Sequence, residues 1–579
     1  MPTSTPPPTD ALVSDQDRRV IYLSVLLALF LAALDQTIVA TALPRMVEDL
    51  EGVERYAWVA TAYLLASTSL ALVYGKLADT YPRKYVTLGA IGLFLSGSVM
   101  CGLAGEFGEL PLIGGGMNQL VLFRGIQGAG GGGLFAMTFI VIADLYTPAE
   151  RGKYQGFVGA VFGIASVLGP LIGGLLTDHA GGWIPGVEGW RWVFYVNVPL
   201  GGLALWFIIR RMPRLDPPPG ATKPDLLGAA LLLGGLTPVI LALQIDKRLY
   251  PWLPMMGPGA DAGSLQAWAT PGLFLGGCAL LALFVRRSKT YPGPILDLRL
   301  FENKVFRRAN MSTFFMGASF MSITIFLPLF LVNGLGVSAT RAGAALIPFS
   351  MGVVFSATMA GQLVNRVGYR RPVVAGAAVF AVAAMLLATM GPDVTYRRVT
   401  MYMVLCGLGV GPGMPLFTLA IQNAVDVRLI GQATSASQFF RQTGATVGAA
   451  LMGTILGTTL GVAFSEVELP PAVEAQGIVV AEYVSTGGAE LPDRIREAYA
   501  VLAERAETPF AAQTVLAEGD VVADRVGRAV AGAFSRATSR IYWFTTLFAI
   551  ASGLLAFGIP ELPLRTTHDR AAGERGEST

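Results

Sequence analysis

Fourteen predominantly apolar stretches, each long enough to cross a bilayer, run through this chain of 579 residues. A hydrocarbon core about 30 Å thick takes about 20 residues of helix to cross. Because lipid offers no partner for an exposed amide or carbonyl, stretches like these must cross as helices. The pattern predicts spans near 20–43, 56–75, 85–104, 118–144, 154–177, 192–209, 226–245, 267–285, 309–332, 341–363, 372–390, 399–424, 433–463 and 541–560. Hydrophobic residues make up 53% of the chain and charged residues 14%, with a mean hydropathy of +0.56. That composition excludes a soluble fold of this size, and the expected class is an all-α polytopic membrane protein.

Lysine and arginine set the orientation. An even number of spans puts both termini on one side, and 25 of the 42 basic residues fall in the tails and alternate loops of that side. The short loops opposite hold 8, the segment 464–540 holds 7, and two, Arg124 and Arg441, lie within spans. Positive charge accumulates on the cytoplasmic side, so both termini are expected there, in a multi-pass protein of the cell membrane. Segment 464–540, with 12 acidic residues and no lysine, then falls outside. Within it, PDRIREAYAVLAERAE reads as a helix with Ile495, Ala498, Tyr499 and Leu502 on one face. That face would either cap the protein as a solvated helix or rest on the outer leaflet and guide substrate. PILDLRLFENKVF is expected to lie on the inner surface between two halves of the protein.

The net charge of +3 gives no reason to expect nucleic acid as a partner. Cys101, Cys278 and Cys406 have no paired spacing, and His179 and His568 are the two histidines, so neither a disulfide framework nor a metal site is expected. No nucleotide-binding P-loop is present, which disfavours ATP-driven work. Partners are expected to be membrane lipids, protons and small molecules.

Two loops repeat at an offset of 286 residues, GKLADTYPRK from Gly75 and GQLVNRVGYRR from Gly361. Duplicated halves around a central cavity are a common plan for secondary transporters. The first copy keeps an acid, Asp79, where the second has Asn365.

The first loop resembles the signature G-x-L-A-D-R-x-G-R-K of the major facilitator superfamily, matched at Gly75, Leu77, Ala78, Asp79, Arg83 and Lys84, with Thr80 and Pro82 departing from it. Asp79 can sit against a helix N-terminus or a neighbouring arginine, forming a latch with Arg83 and Lys84 that breaks when the inner gate opens. A plain positive-inside loop is the other reading. LDQTIVATALP in the first span is similar to a motif of the fourteen-helix drug/proton antiporter family (EmrB/QacA type), with the acid at Asp35. An acid deep in a span is a functional candidate by default, here for proton coupling, unless it serves only to pair with a base. LVLFRGIQGAGGGG resembles the family's R-x-x-Q-G motif at Arg124, Gln127 and Gly128. Arg124 would act near the proton site or snorkel to the interface, and Gly125, Gly128 and Gly132 would permit close helix packing.

GAVFGIASVLGPLIGG resembles the superfamily's antiporter signature, with Gly159, Gly163, Gly169, Pro170 and Gly173 forming a packing contact that moves with access. WRWVFYVNVPLG, PILDLRLF and GQATSASQFFRQTGATVG also resemble the fourteen-helix family. Candidates for the cavity are Gln36, Trp58, Tyr63, Gln127, Asn333, Asn423, Gln438, Arg441 and Gln442, each alternatively a packing or interhelical group. Asp144 could form a gate with Arg151.

The polar, proline-rich start is expected to be a disordered tail over 1–19. The resemblance implies a six-helix bundle over 20–210, two inserted helices within 211–290, a second bundle over 291–560 including the insert 464–540, and a tail over 561–579. It also implies a monomer without cofactor that is not an enzyme. The function implied is proton-coupled export of hydrophobic or cationic molecules. Lipid or glycolipid export is the alternative, and a non-transporting membrane sensor or assembly protein is the alternative of another class.

Overall fold

The computed structural model describes residues 14–50, 56–111, 114–216, 224–244, 269–337, 339–391, 394–465, 467, 469–474, 491–504 and 508–565. The long helices are α1 (Asp15–Leu50), α2 (Tyr56–Thr80), α3 (Arg83–Gly102), α4 (Gly116–Leu145), α5 (Pro148–His179) and α6 (Asn197–Arg211), the last preceded by a short helical turn, Trp192–Tyr195. Then come α7 (Leu226–Gln244), α8 (Ala269–Thr290), α9 (Lys304–Asn333), α10 (Leu346–Val367), α11 (Arg370–Ala388) and α12 (Tyr396–Ala424). The last three are α13 (Ile430–Ser465), α14 (Leu491–Ala503) and α15 (Pro509–Phe557). Among the described residues thirteen helical segments are long and apolar enough to cross a membrane, and the shorter apolar α7 falls on the remaining expected span. The protein is a many-span, all-helical membrane protein.

Apolar side chains of α1 to α6 pack into two clusters of their own, while α9 to α15 close around a third, centred on Phe326, Phe349 and Phe534. Both ends of the described chain lie on one face of the molecule. Tyr22, near the start of α1, donates to the Tyr154 carbonyl at 3.0 Å, and the Arg565 carbonyl accepts from the Ala149 amide at 3.2 Å, both on the first turns of α5. We call this the terminal face.

Several expectations need correction. Residues 15–19 are not tail but the first turn of α1, while 1–13 lie outside the described residues. The start of the C-terminal tail is held to the protein: the Tyr369 hydroxyl accepts from the Leu562 amide at 2.7 Å and donates to the Pro560 carbonyl at 2.6 Å. PILDLRLF turns its apolar side into the protein and keeps Arg299 exposed. Ile295, Leu296 and Leu300 are buried, and the Asp297 amide donates to Gln432 of α13.

The acidic insert is not separate from the last span. At 1.5 Å per residue the 49 residues of α15 extend about 74 Å, more than twice a hydrocarbon core. Its N-terminal part therefore projects beyond the bilayer on the side away from the terminal face, with α14 packed along it. Ile495, Ala498 and Tyr499 are buried in this helix pair against Val522, Ala523 and Val526, so the apolar face is covered by protein and not by lipid. Arg496, held at 2.7 Å by Asp493 of its own helix, ties the two helices together at 3.0 Å to Asp524 and 3.4 Å to Asp520.

Helices α7 and α8 form a hairpin against α2 and α13, with Leu232 and Phe284 in one apolar cluster with Leu72 and Ile430. Asp225, buried just before α7, receives Arg287 Nε at 2.8 and 2.7 Å and the Gly228 amide at 2.9 Å. Burial alone would raise its pKa, but these hydrogen bonds hold the carboxyl below the usual carboxylate range. The clasp is therefore intact at neutral pH and is lost only as pH falls through that lowered value. Asp225→Asn is expected to loosen the hairpin by about 1.5–3 kcal/mol, the range for a hydrogen bond to a charged group. Hydrogen exchange in α7 reads this out: unchanged protection in the variant would leave the clasp without energetic weight.

Candidate functional site

Asp35, just past the middle of α1, is completely buried, and each of its partners comes from another helix. Arg124 of α4 donates Nη1 to its Oδ2 at 2.6 Å, and Gln127 Nε2 and Asn197 Nδ2 reach Oδ1 at 2.8 and 3.3 Å. Ser98 of α3 completes the cluster, accepting from Gln127 and Asn197 at 3.1 and 3.0 Å and donating to the Phe194 carbonyl at 2.9 Å. Arg124 does not snorkel. It is buried, also donates to Gln127 Oε1 at 2.7 Å and the Val59 carbonyl at 3.3 Å, and lies 4.4 Å from the centroid of the Tyr63 ring. Tyr63 donates to the Ala32 carbonyl, with Gln36 beside its hydroxyl, and half-buried Trp58 lies one residue before Val59.

Ser98 and Asn197 were not among the sequence-derived candidates. The signal for Asn197 was there, a lone amide inside the apolar motif WRWVFYVNVPLG. Ser98 carried none, since a serine in a span most often bonds its own helix.

Glycines hold this site together by letting backbones meet. A Cβ at Gly128 or Gly132 would collide with the backbone of Tyr63 or Ser67 on α2. Gly125, expected in the same role, has open space instead.

The α5 glycines divide between two partners. Gly169 and Gly173 face Thr37 and Thr41 of α1, with Pro170 inside the helix between them. Gly159 and Gly163 face Ala357 and Val354 of α10, across the seam between the two groups of helices. Two further glycines, Gly152 and Gly156, extend that seam to the terminal face against Gly361 and Ala357. The sequence motif covers only the part of the seam beyond them.

At the terminal face Asp79 accepts from the amides of Gly431 and Gln432, at 2.9 and 2.8 Å, in the first turn of α13. A carboxylate there complements the positive end of the helix. Arg83 lies 3.8 Å from Asp79 and donates Nε to Asp144 at 2.9 Å. Asp144 thus pairs with Arg83 and not with Arg151, which donates to the Ala143 and Tyr146 carbonyls at the end of α4. Lys84 stands outside this group, donating to the Ile209 carbonyl at 2.9 Å. Gly75 allows the contact, because a Cβ there would overlap Ser435 of α13. The turn at Pro82 is compatible with it: α3 starts at Arg83, whose amide donates to the Leu215 carbonyl. Asn365, the counterpart of Asp79, donates instead to the Ala149 carbonyl of α5 at 2.8 Å.

Between the helix groups, α13 presents Gln438, Arg441 and Gln442. Gln442 accepts from Thr68 of α2 at 2.9 Å, and Arg441 donates to Gln438 at 2.8 and 3.1 Å. Gln155 and Gln422 meet across the seam at 2.9 Å, another pair unmarked in the sequence reading. Two cavity candidates are placed elsewhere. Asn423 lies at the terminal face, holding the Pro563 carbonyl and the Arg565 amide, because it ends α12 where the chain terminus returns. Asn333, the last residue of α9, bonds the Leu329 carbonyl of its own helix. No cluster of three or more metal-ligating side chains occurs among the described residues.

This is a secondary-transporter architecture: two helix groups joined along a glycine seam, with a buried ion pair in one and a polar row on α13 of the other. The profile of the Major Facilitator Superfamily matches residues 25–449. The chain is 34% identical over 444 residues to the multidrug transporter protein MdtP of Bacillus subtilis, covering 77% of this chain and 76% of that one. It is 35% identical over 437 residues to multidrug resistance protein 3 of the same organism, covering 76% and 79%. Among solved structures, the proton:xylose symporter XylE superposes with a TM-score of 0.57 at 13% identity, covering 96% of this chain and 98% of that one. The chain belongs to the major facilitator superfamily, a family of transporters and not of enzymes.

Proposed function

We propose that this protein exports amphipathic small molecules across the cell membrane in exchange for protons. The observation that carries the reading is the completely buried Asp35, paired with Arg124 and hydrogen-bonded by Gln127 and Asn197. Protonation of Asp35 cancels the pair and leaves Arg124 as an uncompensated buried charge. A conformation with different access, or a different substrate occupancy, then becomes preferred. The two Bacillus relatives carry names of multidrug transporters, which supports a drug-like cargo. In this reading the helices divide into two six-helix bundles with α7 and α8 inserted between them, no cofactor is used, and the monomer is the working unit.

Flux in proteoliposomes tests it. A panel of hydrophobic dyes and a fluorescent lipid is offered with and without a pH gradient. Dye accumulation that requires the gradient and collapses when it is dissipated is expected. Lipid movement alone would replace the cargo class, and flux indifferent to the gradient would end the proton reading.

The terminal face is the cytoplasmic one in this reading, from its excess of lysine and arginine. Cysteines replacing Arg83, Arg286 and Arg370 should then be shielded from an impermeant reagent on intact cells, while one at Glu497, on exposed α14, should label strongly. Labelling at 286 from outside would invert the topology.

Asp79 on the α13 N-terminus acts as the inner latch. A helix-dipole contact is worth up to about 2 kcal/mol when partly buried. Asp79→Asn should therefore slow transport severalfold and expose a cysteine at Ser435 to a reagent on the terminal face, with folding preserved. A variant as fast and as closed as the parent would reduce the loop to a topology signal.

A further inference from the structure

Arg441, half-buried deep within α13, has neither a carboxylate nor a capped helix end beside it among the described residues. Arg124 has Asp35, Arg83 has Asp144 and Asp79, and Arg151 caps α4 through two carbonyls. Arg441 has the single amide oxygen of Gln438, to which it donates Nε and Nη2, and the face of Phe162, 5.6 Å away on α5. No hydrogen bond engages its Nη1 among the described residues. It lines a cavity between the two helix groups, walled by Phe139 and Phe162 on one side and by Thr313, Met316, Met414 and Gln438 on the other. In this conformation the free space is about 10 Å³, room for one water.

A cation drawn out of water and left without a counter-charge is unfavourable, and a guanidinium presents a planar fork that matches a carboxylate. Methionine and phenylalanine walls suit a flat apolar body. We propose that Arg441 is the recognition site for an anionic head group, and that the favoured cargo is an amphipathic organic acid, an aromatic or extended apolar body bearing one carboxylate or comparable anion. This rests on the export reading above and adds the sign of the cargo's charge. The consequence for energetics is direct. Moving an anion out while a proton moves in carries two charges per cycle, so transport of such a cargo is accelerated by an inside-negative membrane potential.

The test uses the purified full-length protein in proteoliposomes and three probes with one ring system: pyrenebutanoate, pyrenebutanol and pyrenebutyl-trimethylammonium, each corrected for partitioning into empty vesicles. The wild type is expected to bind the carboxylate at least tenfold more tightly than the trimethylammonium probe, and a potassium diffusion potential should speed carboxylate flux. In Arg441→Gln, carboxylate affinity should fall to that of the alcohol, and Arg441→Lys should fall between. Equal or tighter binding of the trimethylammonium probe by the wild type, or an undiminished carboxylate preference in Arg441→Gln, overturns the proposal. The wild-type preference and its response to potential decide the matter even if the variants do not fold. Gradient-driven flux of the neutral alcohol separates the two readings. If it occurs without carboxylate preference, proton-coupled export stands and the anion site falls. If carboxylate preference occurs without gradient-driven flux of any probe, the anion site stands and the proton reading falls.

Discussion

Asp35→Asn is expected to abolish accumulation of substrate against its gradient while leaving downhill exchange in place. Asparagine keeps the shape of the side chain and can still accept from Arg124, which now donates to Asp35 at 2.6 Å, but it cannot change charge. If proton binding at this position is what couples the two fluxes, the variant is held in one charge state and the pH gradient has nothing to act on. The expected result in liposomes is a complete loss of gradient-driven uphill transport, with substrate relaxing to its equilibrium distribution. Binding of dyes should persist, because the cavity by Arg441 shares no lining residue with the cluster. Full uphill transport by the variant would move the proton site to another acid, Asp144 first.

Arg124→Gln should cost more in stability than any other single change at this site. It leaves the Asp35 carboxylate with Gln127 and Asn197 as its neighbours in a place without water contact. Breaking one side of a buried ion pair is destabilising by about 3–5 kcal/mol, since the remaining charge keeps its desolvation penalty and loses its partner. The double variant Asp35→Asn with Arg124→Gln removes both charges and should recover most of the loss. Thermal unfolding of the four proteins in detergent gives the coupling directly. A double variant as unstable as Arg124→Gln alone would show that the guanidinium acts mainly through its packing on the Tyr63 and Phe194 rings.

The helices themselves were legible because their cause is local and chemical. A run of about 20 apolar residues must form a helix in lipid whatever its neighbours are. The same holds for Asp35 and Arg124, since a charge in such a run stands out against its own segment. The end of the insert was not legible. Nothing in 509–540 reads as a span, yet the helix continues through it into the last span, because α14 covers its apolar residues and Arg496 bridges to its acids.

Sequence alone thus determined the membrane class, the approximate spans, the charged positions Asp35, Arg124 and Arg441 within them and the repeated loops, all of them properties that a segment has by itself. Tertiary structure decided who meets whom. Asp35 finds Arg124, Asn197 and the Ser98 network on three other helices, Asp79 finds the amides of α13 some 350 positions away, and Asp144 takes Arg83 in place of Arg151. Arg441 finds no acid among the described residues. Partners of this kind depend on how helices cross and on which glycines let them approach, and neither is encoded within the segment that carries the charge.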